Sequence, residues 1–155
     1  MNIEIKKAPP GSAKLLAELD RQIFSAEDAF SEEDWLGSGL EAYLLYIDGQ
    51  IAGSAALQPR TDIRSRKSYP PAPDCLYIVS TGVLAEFRGK GLGLILKTWE
   101  VAYAKTHGYA RMVTNMRESN AASIALNEKF SFYVREIIPN YYPDGESAFV
   151  MELNL

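Results

Sequence analysis

Leu76-Tyr-Ile-Val-Ser-Thr-Gly-Val-Leu-Ala-Glu-Phe-Arg-Gly-Lys-Gly-Leu-Gly93 is the stretch on which the reading of this chain turns. Its first half, Leu76–Leu84, is β-rich, apolar for the most part and without charge, as expected of a strand in the middle of a sheet. Its second half, Arg88-Gly-Lys-Gly-Leu-Gly93, sets glycines at alternate positions. A helical pattern follows over Gly91–His107. Leu92, Ile95, Leu96, Trp99, Ala102, Tyr103 and Thr106 fall on one face, and Gly108 supplies a stop.

A glycine-rich turn between a buried strand and a helix has a physical use. It presents successive backbone N–H groups at the positive end of the helix, and the missing Cβ atoms allow a pyrophosphate to come close. Arg88 and Lys90 add positive charge. Other phosphate loops fit less well. A Walker loop needs Ser or Thr after Gly-Lys, whereas Gly91 follows Lys90. The dinucleotide fingerprint needs G-x-G-x-x-G, whereas this turn reads G-x-G-x-G. A tight strand-to-helix connection would use the same glycines with no ligand at all, so the turn alone leaves both readings open.

The rest of the chain supplies a frame. Ile3 and Ile5 alternate with polar residues as in a strand. Pro9, Pro10, Gly11 and Ser12 then precede a helix with Leu16, Leu19 and Ile23 on one face. Ser31, with Asp34 three residues on, caps a short second helix. Ala42–Ile47 and Ile51–Leu57 are joined by Asp48-Gly49, a hairpin signal. Gln58 to Asp74 carries Arg60, Arg64, Arg66 and Lys67, then Pro70, Pro71 and Pro73, and reads as a strand end or loop. Ala110–Thr114 is strand-like, and Ser119 or Asn120 caps a helix running to about Phe130. Ser131–Ile138 and Glu146–Leu153 are the closing strands, with the turn Pro143-Asp-Gly145 between them. The order β-α-α-β-β-β-α-β-α-β-β describes a mixed α/β (α+β) fold, expected as a single domain over 1–155.

Composition bounds the function. At 155 residues, with 47% hydrophobic and 23% charged residues, the chain can stand on its core alone. Cys75 is the only cysteine and His107 the only histidine, so no intrachain disulfide and no multi-cysteine metal site is possible, and no metal is expected. His107 sits in a helix-ending segment, where an imidazole suits the negative end of the dipole better than it suits catalysis. A net charge of −4 argues against a nucleic-acid footprint spread over the domain. No apolar run is long enough for a membrane span, and Met1-Asn-Ile-Glu-Ile lacks a signal pattern, so a cytoplasmic protein without a membrane partner is expected. Monomer and homodimer both remain open.

Set in this frame, Arg88-x-x-Gly91-x-Gly93 resembles the pyrophosphate motif of the GNAT acetyltransferases, (Gln/Arg)-x-x-Gly-x-(Gly/Ala). Ser119-Asn-Ala-Ala-Ser-Ile-Ala-Leu-Asn-Glu-Lys-Phe-Ser-Phe132 resembles that family's second signature, S-N-x-x-A-I-x-L-Y-x-K-x-G-F. Pro139-Asn-Tyr-Tyr-Pro-Asp-Gly-Glu146 resembles protein N-terminal acetyltransferases of the ribosomal-protein (Rim) type and their eukaryotic relatives. The resemblance implies a central twisted mixed sheet with splayed middle strands, flanked by helices, and acetyl-CoA (coenzyme A) as cofactor. It implies that Thr81, Gly82 and Val83 meet the pantetheine arm, with the Val83 N–H a catalytic donor to the thioester oxygen. It further implies that Arg88, Gly89, Lys90, Gly91, Leu92, Gly93 and Leu94 hold the pyrophosphate, and that Asn120 reaches the cofactor.

The implied reaction is direct attack of a neutral amine on the acetyl thioester. The Rim-type glutamate and tyrosine correspond here to Asn115 and Asn127, and neither can take or give a proton. Leu76-Tyr-Ile-Val-Ser-Thr-Gly82 resembles a further branch of N-terminal acetyltransferases, in which a tyrosine at the Tyr77 position serves as catalytic base and the partner histidine again corresponds to Asn115. Tyr77 shares strand parity with Val79 and Thr81 and is the catalytic candidate, although a tyrosine is also simply a good strand former. Phe30, Asn115, Tyr141 and Tyr142 are the implied substrate-binding residues, with Glu27 and Asp28 beside Phe30. The tyrosines would also serve as turn packing, and the acidic pair as a solvated helix end. Arg60–Lys67 reads as a solvated basic loop. Ser131 stands where the family signature has glycine, at a cost of about 1 kcal/mol if its φ is positive. The acceptor expected is a protein or peptide N-terminal amine. A small-molecule amine, or an acyl-CoA-binding module without turnover, are the alternatives.

Overall fold

The computed structural model describes residues 1–37, 39–65 and 68–155. Its strands form a seven-stranded mixed sheet in the order β1-β2-β3-β4-β5-β7-β6. They are β1 (Ile3–Lys7), β2 (Glu41–Ile47), β3 (Gln50–Thr61), β4 (Pro71–Val83), β5 (Arg111–Arg117), β6 (Tyr133–Ile138) and β7 (Ala148–Asn154). The helices are α1 (Ala13–Ile23), α2 (Glu32–Leu36), α3 (Leu92–Thr106) and α4 (Ala121–Lys129). The element order is the one expected from the sequence. The chain resolves into two compact units, Met1–Leu57 with Ser80–Leu96, and Gln58–Val79 with Lys97–Leu155.

In the first unit, β1 pairs antiparallel with β2 from Ile3↔Ile47 to Lys7↔Tyr43. β2 turns into β3 through Asp48 and Gly49 at φ +48° and +82°, the paired left-handed values that a two-residue hairpin matching strand twist requires. α1 buries Leu16, Ala17, Leu19 and Asp20. α2 opens on a complete capping box: the Ser31 Oγ accepts from the Asp34 N–H at 3.1 Å, and the Asp34 carboxylate accepts from the Ser31 N–H at 2.9 Å. Gly53 and Gly82 meet here as bare backbone. A Cβ on Gly53 would lie 2.3 Å from the Gly82 carbonyl oxygen, and one on Gly82 would lie 2.4 Å from the Ile23 Cγ2.

In the second unit, β4 runs parallel to β5 from Cys75↔Arg111 to Ile78↔Thr114, and β7 pairs antiparallel with both β5 and β6. One core cluster joins Ile63, Cys75, Tyr77, Val113, Tyr141, Ala148 and Val150. A second feature is ionic. The buried Asp62 carboxylate accepts from Arg111 at 2.9 Å and Arg135 at 2.9 Å, and both guanidinium groups also reach Glu152. α4 is capped by Asn120, whose Oδ1 accepts from the Ser123 N–H at 3.1 Å; of the two candidates the asparagine takes the position.

Two expectations are modified. β3 and β4 extend into the segment Gln58 to Asp74 and enclose Pro71 and Pro73 within strand, while Arg66 and Lys67 lie outside the described residues. Along α3 the buried stripe is Leu92, Leu96, Lys97, Glu100 and Ala104, with Ala102 and Thr106 exposed. The charged pair is tolerated inside because Lys97 Nζ lies 2.9 Å from Glu100 and neutralises it. Trp99, Tyr103 and His107 instead pack on one another, with ring centroids 5.4 and 3.9 Å apart. Ser131 does adopt φ +71°, the left-handed conformation anticipated for it. Among the described residues no helix is long and apolar enough to cross a membrane, and no cluster of three or more His, Cys, Asp or Glu side chains could hold a metal ion.

Candidate active site

The turn at Arg88–Gly93 is built by backbone demand. Gly89 and Gly91 stand at φ +79° and +75°, where a side chain is strained, and nothing lies within 4 Å of the position a Cβ would take on either. The glycines therefore serve conformation and not packing, and the room beside them is open. α3 begins at Leu92 with no acidic residue in its first turn, and its first closing bond runs from the Ile95 N–H to the Gly91 carbonyl at 3.2 Å. Helix geometry leaves the first-turn N–H groups without intrahelical carbonyls, and an anion is favoured there. The open glycine turn and the charge-free helix start thus fit a diphosphate.

Arg88 is otherwise engaged. Its N–H donates to the Ala85 carbonyl at 3.2 Å, its Nε to the Val83 carbonyl at 3.1 Å and its Nη2 to the Ile23 carbonyl at 3.3 Å. The guanidinium thus ties the end of α1 to the end of β4, where Thr81, Gly82 and Val83 are half-buried. Phe30, in the same unit, packs edge-on against Trp35 at 5.5 Å, and its N–H donates to the buried Asp20 carboxylate at 3.0 Å. Burial pushes Asp20 up to about 6, partly countered by that bond, and its other oxygen has no partner.

The second unit gathers the tyrosines. The Tyr77 hydroxyl donates to the Asn115 Oδ1 at 2.5 Å, and the Asn115 Nδ2 donates to the Tyr142 hydroxyl at 3.3 Å. Tyr69 stacks on Tyr77 at 5.8 Å and shares a 2.6 Å hydroxyl contact with Tyr141, whose ring meets Tyr142 edge-on at 4.9 Å. Arg117 lies over the Tyr142 ring at 4.3 Å, and its Nη1 bonds Asp144 at 2.8 Å and Glu146 at 2.9 Å. The bonds from Ser119 and Arg117 hold Glu146 below the usual carboxylate range, and the Glu146 N–H with Arg117 does the same for Asp144. Burial, reinforced by Tyr141 and Tyr69, drives the Tyr77 phenol well above its ordinary value. Tyr77 therefore stands as a neutral phenol near pH 7, and direct proton abstraction as a phenolate is not open to it there.

Of the residues expected to meet an acceptor, Tyr77, Asn115, Tyr141 and Tyr142 fall into one hydrogen-bonded group, while Phe30 belongs to the other unit. The Asn120 side chain is occupied as the α4 cap. Asn127 is buried, its Nδ2 donating to the Ser123 carbonyl at 2.9 Å and its Oδ1 without a partner. Sequence reading missed Tyr69, Arg117 and Glu146 in the tyrosine group, and Asp20 beside Phe30. No local pattern marks them. The one available signal was Glu146 at the end of the Pro139–Glu146 segment.

Comparison with known proteins gives the family. The model of the acetyltransferase (GNAT) family matches residues 13–132. An N-alpha-acetyltransferase from Saccharolobus solfataricus is 29% identical over 73% of this chain and 68% of its own. The [ribosomal protein bS18]-alanine N-acetyltransferase of Salmonella typhimurium is 31% identical over 80% of each. Among solved structures, the ribosomal-protein-S18-alanine N-acetyltransferase from Escherichia coli superposes with a TM-score of 0.82 at 24% identity, over 99% of this chain and 94% of that one, a likeness of fold. With the family match spanning the glycine turn and both neighbouring strands, the chain belongs to the GNAT acetyltransferase family and is an N-acetyltransferase.

Proposed function

We propose that this enzyme uses acetyl-CoA to acetylate the α-amino group of a protein or peptide N-terminus, working as one catalytic domain. When bound, acetyl-CoA supplies the activated acetyl thioester. Gly89 to Leu94 hold its diphosphate through main-chain N–H groups, with Lys90 adding charge. Thr81, Gly82 and Val83 would hold the pantetheine arm through strand backbone, and the Val83 N–H would be the donor to the thioester oxygen. Tyr77, Asn115, Tyr141 and Tyr142 receive the acceptor; Phe30, in the first unit, is a candidate acceptor contact by itself. Tyr77 acts there as a neutral phenol that keeps its proton, donating it to the Asn115 carbonyl while its oxygen accepts from the amine. As the new C–N bond would form the C–S bond would break, and the amine's proton would pass to the departing thiolate to give free coenzyme A.

The observation that carries the choice of acceptor is the absence of a poised base in this group. Tyr77 is held as a phenol, Asn115 does not titrate, and the nearby carboxylates Asp144 and Glu146 are committed to Arg117 and stabilised as anions. Such a site depends on an amine that arrives neutral. An α-amine with pKa about 8 is about one-tenth neutral at pH 7, whereas an alkylamine with pKa about 10.4 is neutral in about one molecule per 2,500. The difference, about 250-fold in reactive species, favours N-termini over lysine side chains and polyamines. The names of the Saccharolobus and Salmonella relatives point the same way.

The test is release of free thiol from acetyl-CoA in the presence of N-terminal peptides, polyamines and free amino acids. The expected result is turnover with peptides, with kcat/KM rising with pH as the α-amine deprotonates. Turnover confined to polyamines or other alkylamines would overturn the acceptor assignment and leave the small-amine reading in its place.

A further inference from the structure

Three observations converge on the chain between α1 and α2. First, its start lies against the end of β4: Gly82 has no side chain, and a Cβ there would sit 2.4 Å from the Ile23 Cγ2 and 2.8 Å from the Phe24 Cζ. Glycine at this position is what lets Ile23 and Phe24 lie on the strand backbone. Second, Arg88, which opens the glycine turn, sends its Nε to the Val83 carbonyl and its Nη2 to the Ile23 carbonyl, at 3.1 and 3.3 Å. Third, the far end of the connection is tied to the same helix. The Asp20 carboxylate accepts from the Phe30 N–H at 3.0 Å, while the Asp20 carbonyl accepts from the Phe24 N–H at 2.8 Å.

A phosphate ligand would be expected to leave its guanidinium free toward the open side of the turn. Arg88 is instead turned back onto two carbonyls, with its own N–H closing the 3₁₀ turn Ala85–Phe87. Charged donors make the stronger hydrogen bonds to carbonyls, and a guanidinium spans two of them in fixed geometry. The turn, the end of β4 and the end of α1 are thereby joined through one side chain.

We propose that Arg88 is a positioning residue that couples occupancy of the glycine turn to the order of residues 24–30, so that the cofactor prepares the acceptor side. An anion on the Gly89–Leu94 amides fixes the backbone from which Arg88 projects. Arg88 then holds the Ile23 carbonyl in place, and the connection carrying Phe30 follows. The inference rests on the acetyl-CoA reading above, and it assigns the Arg88 side chain to the acceptor connection and not to phosphate.

The test compares the wild-type enzyme with Arg88→Ala and Arg88→Gln, using coenzyme A titration by calorimetry, amide hydrogen exchange, and steady-state kinetics with an N-terminal peptide at saturating acetyl-CoA. In the wild type, coenzyme A should slow exchange across residues 24–30. Arg88→Ala should bind coenzyme A within about threefold of wild type, lose that protection, and raise the peptide KM about tenfold, the loss expected for a charge-assisted bond. Arg88→Gln, which keeps one donor arm, should fall between the two, and its exchange pattern decides the matter if Arg88→Ala does not fold. Two results would overturn the proposal. One is a coenzyme A affinity weakened about tenfold or more with protection of 24–30 intact at saturation, which would make Arg88 a phosphate ligand. The other is wild-type protein that binds coenzyme A with no slowing at 24–30. A wild type that gives no heat with coenzyme A strikes at the cofactor reading itself, and is distinguishable from both.

Discussion

Tyr77 and Asp20 show how burial sets the role of a titratable side chain. Tyr77 is 3% exposed, donates to Asn115 at 2.5 Å and is stacked under Tyr69, so its proton is firmly held. Tyr77→Phe keeps the ring and removes only the hydroxyl. Turnover should fall about a hundredfold, the loss expected when a reacting amine is no longer oriented, while coenzyme A affinity stays within error, measured by thiol release and calorimetry. An unchanged turnover would remove Tyr77 from the mechanism. Asp20 is the converse case, a buried carboxylate raised from 3.8 to about 6 with one oxygen unpartnered. Its folded form binds a proton more tightly than its unfolded form. Its contribution to stability is thus full below the unfolded value near 3.8 and is lost as pH rises through about 6. Asp20→Asn removes that dependence. The unfolding free energy of the variant relative to wild type should shift in the variant's favour by about 2 kcal/mol between pH 4 and pH 7, read from denaturant melts at each pH.

Among the elements, β3 and β4 approach closely because both lack side chains at one level. Gly53 faces the Gly82 carbonyl, a backbone atom that cannot swing away, whereas Gly82 faces the ends of two side chains, Ile23 and Phe24. The two alanine substitutions should therefore differ. Gly82→Ala should cost about 1–3 kcal/mol as Ile23 and Phe24 give way, and Gly53→Ala should cost more because strand backbone must part. Thermal melts of both variants test the ranking, and equal costs would contradict this packing. Gly89 and Gly91 pose a different demand, since open space surrounds them and only φ excludes a side chain. The same residue type thus serves close approach at Gly53 and Gly82, and left-handed backbone at Gly89 and Gly91.

The largest polar investment of the molecule lies around Asp62. Burial would raise this carboxylate, but hydrogen bonds from Arg135, Arg111 and the Ile63 N–H outweigh it and hold it below its ordinary value. Glu152 is likewise lowered, by Tyr133, Arg135 and Arg111 against its own burial. Depressed carboxylates contribute stability at neutral pH that is lost as pH falls through their folded values, the sign opposite to Asp20. Asp62→Asn takes from Arg64, Arg111 and Arg135 the buried carboxylate they share, leaving Arg111 with Glu152 and Asp74 and Arg135 with Glu152 and Glu136. It should cost about 3 kcal/mol or more at pH 7 and progressively less in acid. Chemical denaturation across pH checks it; a pH-independent loss would show that packing, not charge, is at stake. Cys75, beside this network, is pushed up to about 12 by burial and should resist alkylation in the folded protein.

The order of elements, the Asp48-Gly49 hairpin, the Ser31 capping box and the glycine turn were all legible in the sequence, because helical and strand periodicity, capping and positive φ are properties of a few neighbouring residues. The family was legible for the same reason, its signature being a local backbone shape. What the Arg88 side chain holds, which ring lies over Tyr77, and how Lys97 and Glu100 are buried were decided only by tertiary structure. The Arg88–Ile23 bond joins residues 65 positions apart, and the Tyr69–Tyr141 contact joins residues 72 apart. Contacts at such separations depend on how strands register and helices pack, and so do the burial and charge that fix whether Tyr77 and Asp20 keep their protons.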